Sequence, residues 1–148
     1  MGVTVETPDS TLPPPLEAVV RRPRPRPAPS DSSPQAVKER ALAAARAAAA
    51  VKAEDVRVLD MREVVSYTDF LVICTGRNVR LTKRIAEEVG RRLKLDYGML
   101  PAGTEGETAG EWILLDYLDF IVHVFTPESR DFYRLDVLWK QAPAESVE

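Results

Sequence analysis

Four short apolar segments, Val56 to Leu59, Phe70 to Thr75, Trp112 to Leu115 and Phe120 to Phe125, have strand length and are separated by polar or helix-patterned stretches. Phe70-Leu71-Val72-Ile73-Cys74 is apolar without alternation, the pattern of a strand covered on both faces, and is predicted to be central. In the last two segments a period of two places Trp112, Leu114 and Asp116 on one face and Ile113 and Leu115 on the other. By the same period Phe120, Val122 and Val124 oppose Ile121, His123 and Phe125. Asp116-Tyr117-Leu118-Asp119 between them is a hairpin-length turn that lacks the Asn-Gly or Asp-Gly pair of the tightest hairpins.

Helical spacing appears three times. Ser33-Pro34 reads as an N-cap followed by a proline in the first turn, opening an alanine-rich helix to about Lys52 that must lie close against its neighbours. Leu81, Ile85, Ala86, Val89 and Leu93 form an apolar stripe behind Asn78, a second N-cap. Thr126-Pro127-Glu128 opens a third helix carrying Phe132, Leu135, Leu138 and Trp139, stopped before Pro143. The predicted order is α-β-β-α-β-β-α: one α/β domain, a small mixed sheet with flanking helices.

Length bounds the rest, since 148 residues suffice for one ordinary domain. Nine of the twelve prolines fall before residue 36, so residues 1–33 are expected to be a disordered Pro/Arg-rich extension, 34–143 the domain and 144–148 a C-terminal tail. That extension is charge-balanced, so the body holds the whole net charge of −3, which argues against bulk nucleic-acid binding but leaves room for a local basic face. Its acids also disfavour an organellar transit peptide. The single Cys74 can form neither an internal disulfide nor a cysteine zinc site, which fits a reducing compartment, and no apolar run is long enough to span a bilayer.

Few residues invite chemistry. The glycines at 98, 103, 106 and 110 match no phosphate-loop spacing, and Glu105 and Glu107 would repel a phosphate there, so the stretch reads as a turn-rich connector. Gly76 stands between a buried strand and a helix, where a permissive turn suffices. Asp116 and Asp119 are three apart across a turn rather than two apart on one strand face, the wrong arrangement for a paired-aspartate Mg²⁺ site. His123 has no second histidine or cysteine to join it and reads as a hydrogen-bonded sheet residue; Cys74 reads as a buried, unreactive small hydrophobe. No cofactor or metal is expected. Arg80, Lys83, Arg84 and Arg91 make one helix face basic, either as an RNA contact or as a solvated face neutralised by the i,i+4 pairs Lys83–Glu87, Glu87–Arg91 and Arg84–Glu88. Both faces of the Trp112 hairpin are apolar, so Trp112 either caps the core or anchors a partner in an uncovered strip.

Taken together, Thr68-Asp69-Phe70-Leu71-Val72-Ile73-Cys74-Thr75-Gly76, Gly110-Glu111-Trp112-Ile113-Leu114-Leu115-Asp116-Tyr117, and Val122-His123-Val124-Phe125 through Arg130-Asp131-Phe132-Tyr133 to Leu138-Trp139 resemble the ribosomal silencing factor, or Iojap, family. The resemblance covers about residues 36–143. It implies a nucleotidyltransferase-like fold without the catalytic carboxylates. It further implies a non-enzymatic cytoplasmic factor of bacteria, monomer or homodimer, that binds the large ribosomal subunit through ribosomal protein uL-fourteen and blocks small-subunit joining under nutrient limitation. The implied partner surface is Trp112, Leu114, Asp116, Tyr117 and Asp119; the basic face of Arg80, Lys83, Arg84 and Arg91, read from the residues alone, is the candidate for a nearby rRNA contact. Position 118, commonly glycine in the family hairpin, is Leu118 here. The alternatives are a Mg²⁺-dependent nucleotidyltransferase using Asp116, Asp119 and Asp69, or an rRNA-binding assembly factor.

Overall fold

The computed structural model describes residues 33–147, so the extension before Ser33 lies outside the described residues. Helix α1 (Pro34–Ala50) starts as its sequence requires, the Ser33 hydroxyl accepting the Ala36 amide at 3.3 Å. Its buried residues are Val37 and five alanines, and without side-chain bulk the helix backbone comes down close onto the sheet. Strand β1 (Glu54–Asp60) then runs antiparallel to β2 (Phe70–Thr75), whose six residues are all buried. Helix α2 (Val79–Tyr97) is capped at its start by the Asn78 side chain on the Leu81 amide, 2.9 Å, and at its end by Gly98 in the left-handed conformation.

The connector after α2 holds strand β3 (Gly103–Glu105), which the turn-rich reading left out; it pairs antiparallel with β4 (Trp112–Asp116). Strand β5 (Phe120–Phe125) completes the hairpin with β4 and lies parallel to β2. The third predicted helix is two: α3 (Pro127–Tyr133) and α4 (Leu135–Leu138), broken by Arg134 at φ 53°. Residues 144–148, expected as a tail, contribute β6 (Ala144–Val147), which pairs antiparallel with β1 and covers an edge that would otherwise be open. The six-stranded mixed sheet has the order β3-β4-β5-β2-β1-β6.

The alternation read from the sequence sorts the core into two layers. Ile113, Leu115, Phe120, Val122 and Val124 pack under α1 and α2, while Trp112, Leu114, Ile121 and Phe125 face the other way with Leu135, Trp139 and the 61–67 loop. The hairpin turn is held by the Asp116 carboxylate accepting the Leu118 amide at 2.9 Å and by the Thr68 hydroxyl donating to the Leu118 carbonyl at 3.0 Å. Leu118 sits there at φ 72°, a conformation open to glycine at little cost and strained for a leucine.

Candidate functional site

Trp112 is the first residue of β4 and stands opposite Phe125. Gly106, at φ 77°, makes room for this strand: a side chain there would collide with the Trp112 carbonyl oxygen. The Trp112 ring contacts Phe125 and Tyr133 at centroid distances of 4.9 and 4.7 Å, and its indole N–H donates to His123 Nδ1 at 2.9 Å. With 5% exposure it caps the core and is not an open anchor. The second apolar layer, which folds α3–α4 over the sheet, explains the difference from an uncovered strip.

Accepting at Nδ1 leaves His123 with its proton on Nε2, and that N–H is buried with no partner among the described residues. Burial pulls the imidazole pKa down to about 3, so it is neutral at physiological pH. His123 is the hydrogen-bonded sheet residue its sequence context indicates. Cys74, fully enclosed, has its thiol pushed up to about 12, the signature of an unreactive side chain.

The five hairpin residues do not form one surface. Leu114 is fully buried, and Asp116 is buried with its carboxylate turned to the Leu118 amide. Tyr117 is buried under the long helices, stacked on Phe120 at 5.1 Å, with burial pushing its phenol up to about 12. Asp119 is half-buried at the turn, its carbonyl accepting the Asp69 amide at 2.9 Å. Trp112 and Asp116 are four strand residues apart, roughly 13 Å. Among the described residues no three His, Cys, Asp or Glu side chains are grouped to hold a metal ion, and Asp69, Asp116 and Asp119 are not so grouped.

Exposed apolar residues lie elsewhere, on α3 and α4 and, as Leu95, Tyr97 and Leu100, at and just beyond the end of α2. Phe132 is 78% exposed, and Tyr133, Val137 and Leu138 are exposed beside it. With Val79, also exposed, Phe132 and Tyr133 line a groove of about 660 Å³ whose rim includes Glu111 and Glu128. The sequence places Phe132 and Leu138 on the buried stripe of one continuous helix. The left-handed Arg134 breaks the period, so that Leu135 and Trp139 turn inward and Phe132 and Leu138 outward. A glycine at 134 would have signalled the break; an arginine gives no such signal.

Arg80, Lys83, Arg84 and Arg91 are all exposed on α2. Among the described residues the close ion pairs expected there do not form. Glu88 accepts a hydrogen bond from Arg91 at 3.0 Å and lies 3.9 Å from Arg92 in an ion pair, and the Arg91 hydrogen bond, with a weaker pull from Arg84, holds its carboxyl below the usual range. Among the described residues no helix is long and apolar enough to cross a membrane.

The comparisons agree with this architecture. The family model described as "Ribosomal silencing factor during starvation" matches residues 34–148. The ribosomal silencing factor of Chromobacterium violaceum is 36% identical over 98 residues, 66% of this chain and 80% of the relative. That of Bacillus subtilis is 32% identical over 97 residues, 66% of this chain and 81% of the relative. A crystal structure of a Chromobacterium violaceum protein superposes with a TM-score of 0.67 at 34% identity, covering 70% of this chain and 86% of that one. With this fold, this sheet and these relatives, the chain belongs to the ribosomal silencing factor family, whose members are named as regulators of the ribosome.

Proposed function

We propose that the chain binds the large ribosomal subunit through ribosomal protein uL-fourteen and lowers translation under nutrient limitation by occupying ground the small subunit needs. The mechanism is steric and uses no catalysis; affinity has only to compete with subunit association. The cytoplasm of a bacterium is the corresponding location. The observation that carries the docking surface is the pair of exposed rings Phe132 and Tyr133, in edge contact with centroids 4.9 Å apart on the thinly covered side of the sheet, in a groove they share with Val79, Glu111, Glu128 and Arg77. An apolar centre with two carboxylates and one guanidinium on its rim, a net negative charge, suits a basic ribosomal protein. Trp112 supports this surface from beneath through its contact with Tyr133 rather than touching the partner itself. Asp119 lies at the far end of the sheet, and Tyr117 lies across it.

The test sediments the purified protein with large subunits, small subunits and joined ribosomes, and follows subunit joining as protein is added. Large-subunit binding with loss of joining supports the reading; absence of binding removes it. Phe132→Ser, a change on an exposed ring, should leave the melting temperature within experimental error and weaken large-subunit binding about thirtyfold, the size of an anchor worth ~2 kcal/mol. Wild-type affinity in that variant would move the docking surface away from α3–α4.

A further inference from the structure

Helix α2 carries a charge opposite to that of the molecule. Its six basic and three acidic residues give +3, in a chain whose formal net charge is −3, so everything outside the helix sums to −6. At 100° per residue Arg80, Lys83, Arg84, Arg91 and Lys94 fall on one solvent-facing arc, opposite the buried Thr82, Ile85, Val89 and Leu93. From Arg80 to Lys94 the arc is roughly 21 Å long. An ordinary solvated helix would neutralise such a row with its own acids. Here one acid, Glu87, lies on the arc between Lys94 and Arg80 and leaves it a net +4, Glu88 is spent on Arg91 and Arg92 at the arc's margin, and Asp96 lies 3.7 Å from Arg92. Arg80, Lys83, Arg84 and Lys94 make no ion pair among the described residues.

Beside this arc runs a groove of about 430 Å³ floored by Ala86, Gly90, Ile113 and Leu115, within the size range of small-ligand sites, about 300–1,000 Å³. Gly90 stands mid-helix, where glycine costs about 1 kcal/mol against alanine. A Cβ there would meet nothing within 4 Å, so packing does not demand the glycine; its absence of side chain leaves the groove open. Lys83 and Arg91 line the groove, but so do Glu87 and Glu107. The groove is thus charge-balanced, two cations against two carboxylates over an apolar floor, while the arc beside it keeps a net positive charge: anionic groups are held on the arc, and an uncharged planar group enters the groove. A single RNA strand has both parts in alternation.

We infer that α2 and its groove form a single-stranded RNA contact, with phosphates on Arg80, Lys83, Arg84 and Lys94 and an unstacked base against Gly90. The contact is separate from the α3–α4 surface and rests on the proposed function only for the identity of the RNA, which on the large subunit is rRNA. The experiment uses the full chain and a short fluorescein-labelled single-stranded RNA, alongside its duplex, with anisotropy read across about 50 to 200 mM KCl. The wild type should bind the single strand more tightly than the duplex. The R80Q/K83Q/R84Q/K94Q variant should lose at least about tenfold in affinity and flatten the log–log salt slope by about 3. Gly90→Leu, which fills the groove at a site with room for it, should weaken the single strand several-fold and spare the duplex.

No RNA binding by the wild type, or unchanged affinity and slope in the charge variant, overturns the site. Equal loss of strand and duplex in Gly90→Leu, or no loss of either, overturns the groove's part in it. Because naked RNA is the probe, these outcomes do not depend on ribosome docking. Weaker sedimentation of the charge variant with large subunits supports use of the contact there. Unchanged sedimentation with RNA binding lost overturns that use alone.

Discussion

The two sides of the sheet are built from different materials. One side is sealed by two long helices, with five buried alanines letting α1 settle close and Ile85, Val89 and Leu93 of α2 filling the space over β4 and β5. The other is covered by a loop, a seven-residue helix and a four-residue one, and it holds Trp112, His123, Phe125 and Tyr133 in ring contact. Among the described residues the His123 Nε2 proton and the Tyr67 hydroxyl are buried there without partners, as the Tyr117 hydroxyl is on the helical side, and Phe132 and Leu138 are left in solvent, as are Leu95 and Leu100 at and just beyond the end of α2. Unpaired buried polar groups and exposed rings both cost stability. The two sides therefore differ in how they are covered, long helices against short pieces, and not in whether they carry unpaired polar groups and exposed apolar side chains, which both do.

The sharpest way to break this comparison is at Leu93, fully buried under α2. Leu93→Ala should lose about 3 kcal/mol in chemical denaturation while the surviving folded fraction binds large subunits normally. A loss of binding per folded molecule would mean the two sides are not separable. Next is acid. The His123 pKa falls from an unfolded value of 6.5 to about 3 in the fold, so its neutral form is favoured and the associated stability is complete above pH 6.5. Below that it drains away as pH falls towards the folded value, by about 2 kcal/mol between pH 6.5 and 5. The difference in denaturation free energy between wild type and His123→Gln should therefore shrink over that interval, and a constant difference would place the acid sensitivity elsewhere. The smallest expected effect is a gain. Leu118→Gly relieves a φ of 72° at the turn joining the two hairpin strands and should raise stability by about 1 kcal/mol, read from the denaturation midpoint.

Much of the fold was legible. Alternation sorted β4 and β5 into the correct layers because each strand is buried on both sides and a one-residue slip would exchange Trp112 for Ile113. The caps at Ser33, Asn78 and Thr126 carried their helix starts because a short polar side chain followed by helical residues has one local use. What stayed hidden depended on contacts made far along the chain. Ala144–Val147 has no strand pattern of its own and becomes a strand by pairing with β1, and Gly103–Glu105 does so beside β4. The outward turn of Phe132 followed from a left-handed arginine that no local propensity announces. The candidate site was legible as chemistry but not as geometry. Trp112 was singled out as a partner anchor and the structure shows it buried, and its neighbours in sequence, Asp116 and Tyr117, belong to another end and another face of the sheet.

The β6–β1 pairing also bears on synthesis. β1 is complete early, but its outer edge finds its intended neighbour only when Val147 has left the exit tunnel, joined by the Asp60 amide to the Pro143 carbonyl at 2.8 Å. Until then the nascent chain carries a formed strand with open amides and carbonyls, a template for its own copies on adjacent ribosomes. A tag fused directly after residue 143 would make that transient state permanent.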